Sequence, residues 1–209
     1  MVHPQKLFEE LNSALAEQQI TLSIICVGGF VLEHHGLRAT QDIDAFYHEN
    51  QMLREIIARI GEKHHVNTDE LWLNNSVANM NDVPPENICE ILYQFSNLTV
   101  YVANMNISPP ESICDTLYKF SNLIVRAVPI DYLLGMKLES GREQDLKDIG
   151  LIIQHEGFKA PFELFEQLRQ QGFSQMDFSM LLEGFSYAYG MEWLENFYRE
   201  HENQLEELF

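Results

Sequence analysis

Apolar residues recur along the chain at two periods, and the changes between them mark out the elements. From Lys6 to Gln19, Leu7, Leu11 and Leu15 fall on one face of a helix. Leu22–Val27 is an unbroken apolar run of strand length, and Asp42–Tyr47 reads as a second strand. Between them Phe30–His35 reads as a short helix whose N-terminus sits at Gly28-Gly29. Met52–Lys63 returns to helical spacing through Ile56, Ile57 and Ile60. Strand, helix, strand, helix implies an α/β (α+β) layer arrangement, a mixed sheet with flanking helices. From Tyr132 onward the pattern is helical to the end. Tyr132–Glu139, Glu143–His155, Pro161–Gln171, Met176–Tyr189 and Met191–Leu208 are separated by Gly141, Gly157, Gly172 and Gly190, which are predicted C-terminal stops. The expected organisation is an α/β domain over residues 1–131 and a helical C-terminal part, 132–209, packed on it.

The middle of the chain repeats itself. Asn79-Met80-Asn81 returns as Asn104-Met105-Asn106, Pro84-Pro85-Glu86 as Pro109-Pro110-Glu111, and Phe95-Ser96-Asn97-Leu98 as Phe120-Ser121-Asn122-Leu123. Residues 79–103 and 104–128 share 15 identities in 25 positions, far above chance, so the segment is read as a tandem duplication. Each unit is predicted as a helix started by the proline pair, then a strand, Leu98–Val102 or Leu123–Val128, added at a sheet edge. The shared cysteine, tyrosine and phenylalanine are expected in the core.

The chemistry concentrates between residues 28 and 44. Gly28 and Gly29 let a backbone pass close to a phosphate, because no Cβ intervenes; equally, they make a strand-to-helix turn. In a strand, residues i and i+2 share a face, so Asp42 and Asp44 present two carboxylates together while Ile43 points away. Such a pair repels itself unless a cation lies between, and a hard cation with oxygen ligands, Mg²⁺ or Mn²⁺, suits it. Thr40 is placed to brace the turn before the pair, and Arg38 either to pair with Asp42 or to meet a phosphate. Further on, Lys137 and Arg142 lie on successive helical turns, followed by Asp145, Lys147 and Asp148; ion pairs on a solvated helix would look the same.

Gly-Gly followed by Arg38-Ala39-Thr40-Gln41-Asp42-Ile43-Asp44 resembles the signature of the DNA polymerase beta-like nucleotidyltransferase superfamily. It looks most like the small bacterial nucleotidyltransferases related to abortive-infection toxins. The block Leu133-Leu134-Gly135-Met136-Lys137-Leu138, then Arg142 and Lys147-Asp148, is similar to the family's downstream helical pattern. The resemblance implies a nucleotidyltransferase-like sheet, Asp42 and Asp44 as metal ligands and catalytic residues, and Gly28, Gly29, Arg38, Thr40 and Arg142 at the nucleotide. It implies a catalytic Lys137 that reaches the triphosphate. Many members carry a third carboxylate on a later strand; the candidate is Asp131, which as the opening residue of a helix serves equally as a cap.

Composition narrows the partners. Hydrophobic residues make up 45% of the 209, enough for a sizeable core, and no apolar run approaches a membrane span. The start, Met-Val-His-Pro-Gln-Lys, has no signal-peptide core, and the three cysteines, in apolar surroundings and without Cys-x-x-Cys spacing, suit a cytoplasmic protein with reduced thiols. His34-His35 and His64-His65 are neighbours that diverge, so they do not read as a zinc site. A formal net charge of −19 argues against non-specific nucleic-acid binding and suits a basic protein partner. The expected activity is transfer of a nucleoside monophosphate from a nucleoside triphosphate to a hydroxyl, on tRNA, a protein or a small molecule, in a toxin–antitoxin or phage-defence setting. The alternative is a non-catalytic interaction protein that retains the fold.

Overall fold

The computed structural model describes residues 3–67, 71–76, 89–95, 98–103 and 111–206. Their elements fall into two compact units, Met1–Pro129 and Ile130–Phe209. The first unit runs α1 (Pro4–Glu17), β1 (Leu22–Cys26), α2 (Gly28–His34), β2 (Ile43–Phe46), α3 (Gln51–His64), β3 (Leu73–Asn74), β4 (Cys89–Phe95), β5 (Leu98–Ala103), β6 (Asp115–Lys119) and β7 (Leu123–Ala127). Five strands form a mixed sheet in the order β3-β2-β1-β7-β6. The β1/β2 and β6/β7 pairs are antiparallel, and the β1/β7 and β2/β3 pairs are parallel.

Period two along the strands and period 3.6 along the helices bring the apolar residues to one interface. Leu22, Ile24 and Cys26 of β1, Ile43 and Ala45 of β2, Leu73 of β3, and Leu123 and Val125 of β7 join one buried cluster. Leu7, Phe8, Leu11 and Leu15 of α1 and Ile56, Ile57 and Ile60 of α3 belong to the same cluster, so these helices cover that face. Trp72 is buried in it, its indole N–H donating to Ile57 O at 2.9 Å, and its ring meets Phe8 edge-on. The alternate strand residues, Asp44 and Asn74 among them, point to the opposite face.

The duplicated segment folds differently from the expectation. Neither described unit is a helix followed by a strand: each is a β-hairpin, β4–β5 and β6–β7. Residues 79–88 and 104–110 lie outside the described ones. The two hairpins pair in the same register, displaced by the 25-residue period. Glu90↔Val102 matches Asp115↔Ala127, and the register shift between Ile91 and Tyr93 recurs between Thr116 and Tyr118. Two features explain the difference. A bulge at Leu92 and Leu117 interrupts strict alternation and leaves an apolar spacing that mimics a helix. The proline-led start of the second copy leads only into one 3₁₀ turn, Glu111–Ile113. Ser121-Asn122 is the loop, closed by the Phe120 amide donating to Leu123 O at 2.8 Å. The second hairpin is not simply an edge addition, since β7 lies inside the sheet beside β1, while β4–β5 form a two-stranded sheet of their own.

The second unit comprises α4 (Ile130–Ser140), α5 (Leu146–Glu156), α6 (Pro161–Gln170), α7 (Phe178–Tyr189), α8 (Met191–Glu200) and α9 (Glu202–Glu206). The predicted glycine stops hold: Gly157, at φ 70°, ends α5 in the left-handed conformation that disfavours other residues. The last predicted helix is two, α8 and α9, broken at His201. Helices α5 and α7 cross at Gly150 and Gly184, where a Cβ would run into Tyr187 and Ile149 respectively. No helix among the described residues is long and apolar enough to cross a membrane.

Candidate active site

The site begins where β1 runs out. Gly28 takes φ 61°, a left-handed conformation, and turns the chain from β1 into α2. Beside it, β2 carries Asp44, and the backbones are tied by the Val27 amide donating to Asp44 O at 2.9 Å. A Cβ on Gly28 would stand 2.8 Å from Asp44 Oδ2, and one on Gly29 would stand 2.7 Å from Thr40 Oγ1. The glycine pair therefore does more than turn the chain: each glycine leaves room for a polar group of the Arg38–Asp44 stretch.

Asp42 precedes β2, and Thr40 Oγ1 donates to its Oδ1 at 3.0 Å. The Thr40 amide in turn donates to Glu33 Oε2 at 2.7 Å, which fixes the loop against α2. Both aspartates are half-buried, Ile43 between them is buried in the core, and Arg38 is exposed with Nη1 3.4 Å from Ala39 O. Gly28, Gly29, Arg38, Thr40, Asp42 and Asp44 thus converge in one place within the first unit. Glu33 joins them as a brace that no sequence pattern marked. Burial pushes the Cys26 thiol up, and the nearby Asp44 charge adds to the shift, so the sulfur beside the site stays a neutral core group.

The other candidates lie in the second unit and form a different arrangement. Lys137 is 5% exposed, its Nζ 2.7 Å from Asp145 Oδ1 and 2.9 Å from Asp148 Oδ2. Arg142 Nε donates to Asp145 Oδ2 at 2.8 Å, and Ser140 Oγ lies 3.0 Å from the same oxygen. Burial pushes the Asp145 carboxyl up, but the bonds and charges of Lys137 and Arg142 outweigh that and hold it below its ordinary value. The expectation that Lys137 reaches a triphosphate thus meets a lysine whose ammonium is engaged by two carboxylates. Asp131 lies in the first turn of α4, where its Oδ1 accepts from the Tyr132 amide at 2.8 Å and its Oδ2 from Gln171 at 3.2 Å. Among the described residues, no group of three or more His, Cys, Asp or Glu side chains is placed to hold a metal ion.

Residues 5–156 match a family model described as a nucleotidyltransferase of unknown function (DUF6036). The chain belongs to this family. The matched span takes in both motif blocks, the Gly28 to Asp44 cluster and the Lys137 network. No curated protein and no solved structure matches the chain. The first of the two motif blocks holds the glycine turn with Gly28 against Asp44 and Gly29 against Thr40.

Proposed function

We propose that this nucleotidyltransferase moves a nucleoside monophosphate from a nucleoside triphosphate to a hydroxyl acceptor, with Asp42 and Asp44 holding Mg²⁺ or Mn²⁺. The observation that carries the reading is the packing of Gly28 and Gly29 against Asp44 and Thr40, because a side chain at either glycine would fill the space. The donor set fits the ion: hard carboxylate oxygens suit a hard divalent cation. When bound, that ion neutralises phosphate charge and lowers the pKa of a coordinated hydroxyl.

In the transfer, the acceptor oxygen forms a bond to the α-phosphorus, the bond from that phosphorus to the β-phosphate oxygen breaks, and pyrophosphate leaves. The hydroxyl proton passes to solvent or to a carboxylate of the site. Gly28 and Gly29 admit the phosphates close to the backbone. Thr40 holds the Asp42 carboxylate in place from one side, and Glu33 holds Thr40. Arg38, exposed beside the glycine turn, is suited to meet phosphate charge. The acceptor is a tRNA, protein or small-molecule hydroxyl, and the acidity of the chain favours the latter two. Likeness to abortive-infection nucleotidyltransferases supports a toxin–antitoxin or phage-defence setting in the cytoplasm. The buried engagement of Lys137 and the charge of −19 favour one second reading, a non-catalytic interaction protein for a basic partner.

Thermal unfolding with each of ATP, CTP, GTP and UTP at millimolar concentration and Mg²⁺ separates them. A raised midpoint with at least one nucleotide, lost on adding EDTA, is expected. No shift with any of the four would overturn the nucleotide reading.

A further inference from the structure

Strand β3 is two residues long, and its pairing puts Asn74 opposite Asp44 in a parallel register, as Leu73 is opposite Ile43. Paired residues on neighbouring strands share a face. Ile43 and Leu73 enter the core under α1 and α3, so Asp44 and Asn74 lie together on the other face, that of the candidate site. Asn74 is only 6% exposed. Its Oδ1 accepts from the Ser76 amide at 3.1 Å, which identifies the oxygen end of the amide. Its Nδ2 is buried with no hydrogen-bond partner among the described residues.

That is an unfavourable arrangement with a simple cure. The Ser76 turn needs only the side-chain oxygen, which aspartate, serine or threonine supplies as well. Buried donors without partners are rare in native structures and ask for a reason. The unmet group belongs to the residue paired with Asp44, one of the two carboxylates proposed to hold a metal–nucleotide complex.

We propose that Asn74 is a ligand-binding residue of this site, donating through Nδ2 to an oxygen of the phosphate chain; the inference rests on the nucleotide reading above. An amide nitrogen neither takes up a proton at neutral pH nor ligates a hard cation, so it acts as neither base nor metal ligand. It matches an anionic oxygen, and a neutral donor beside the Asp44 carboxylate adds no repulsion towards the phosphate it meets.

The test uses the full chain and isothermal titration with two probes: inorganic tripolyphosphate with Mg²⁺, and the Mg²⁺ complex of whichever nucleotide gives the largest thermal shift. Asn74→Ser keeps an oxygen for the Ser76 amide and removes the Nδ2 donor, leaving only a shorter hydroxyl. Both probes should bind about tenfold more weakly, or worse, with an unliganded melting midpoint close to wild type. Undiminished binding of both would overturn the role of Asn74 and leave the nucleotide reading standing. A loss confined to the nucleotide would overturn the phosphate assignment. If the wild-type chain binds neither probe, the nucleotide reading fails and Asn74 with it. Should Asn74→Ser not fold, Asn74→Thr, which keeps the turn oxygen and adds no charge, carries the test. Weaker tripolyphosphate binding supports the proposal, and equal or tighter binding overturns it.

Discussion

Asp42 and Asp44 on one hand, and Asp145 and Asp148 on the other, are pairs of the same residue put to opposite uses. The first pair straddles the start of a strand, half-buried, with a threonine hydroxyl on one member and a glycine turn against the other. The second pair lies at the start of α5, buried, and closes on one lysine at 2.7 and 2.9 Å. What differs is what each carboxylate was given as a neighbour. The first pair meets a threonine hydroxyl and a glycine turn, whereas the second shares the ammonium of a buried lysine of its own unit. Lysine and aspartate in a motif therefore do not by themselves point to a substrate.

The largest effect should come from neutralising one member of the first pair. Asp44→Asn is expected to lower nucleotide transfer by at least about 100-fold, a typical loss when an electrostatic group of a transition state is removed. Its melting midpoint should stay level or rise, because one of two neighbouring negative charges is gone. Transfer of labelled nucleotide, read beside thermal unfolding, checks both. Full activity in the variant would mean that the two pairs do not differ in the way described.

The second pair should respond in the opposite sense. Lys137→Met removes the ammonium shared by two buried carboxylates, with Arg142 still bound to Asp145, and is expected to cost about 3–5 kcal/mol. Urea unfolding followed by the helical circular dichroism signal measures this. Adding Asp145→Asn and Asp148→Asn to the same variant should recover most of the loss, since the uncompensated charge is then removed. A stable Lys137→Met with weakened triphosphate binding would return the lysine to the nucleotide and dissolve the contrast.

Acid sharpens the comparison more gently. The folded value of Asp145 lies below its ordinary value, so the ionised carboxylate contributes stability in full above the unfolded value of about 4. That contribution is lost as pH falls through the lower folded value. Unfolding free energies measured from about pH 5 down to about pH 2 should therefore decline, and decline less steeply in Asp145→Asn. Equal slopes would show that Arg142 and Lys137 hold the folded carboxyl no more tightly than water does.

Much of this contrast was legible in the sequence, and the missing part has a physical cause. Period and glycine punctuation marked α1, β1, α2, β2, α3 and the C-terminal helices, and strand alternation placed Asp44 away from the buried Ile43, while Asp42 stands just before β2. Spacing alone does not say whether Lys137 faces ligand or carboxylate, because burial against Asp145 and Asp148 is a tertiary outcome. Strand β3 has two residues, too few for any alternation to register, so Asn74 carried no signal. The hairpins were hidden by their bulges, which break period two at Leu92 and Leu117. Glu33 sits on a helix where a carboxylate looks like any solvated residue.

The smallest effect should come from removing the first hairpin, because neither aspartate pair draws on it. Deleting residues 79–103 joins Ala78 to Asn104, and the native chain already has alanine before that asparagine, at Ala103. Val77-Ala78 likewise repeats as Val102-Ala103, so the junction restores the local sequence on both sides. The strand that the sheet needs beside β1 remains, since β7 pairs with β1 from Leu22↔Leu123 to Cys26↔Ala127. Its anchors remain too: the Asn122 amide donates to Asn12 Oδ1 at 2.8 Å, Asn122 Nδ2 to Ile20 O at 3.0 Å, and Arg126 Nη1 to Ser23 Oγ at 2.6 Å. A two-stranded sheet by itself is marginally stable, so the loss of β4–β5 should change the unfolding free energy by no more than about 1 kcal/mol. Near-UV circular dichroism and the nucleotide-dependent thermal shift should both survive. A product that loses its near-UV signal, or keeps it and loses the shift, would show that the first hairpin supports the sheet or the Asp42–Asp44 site after all.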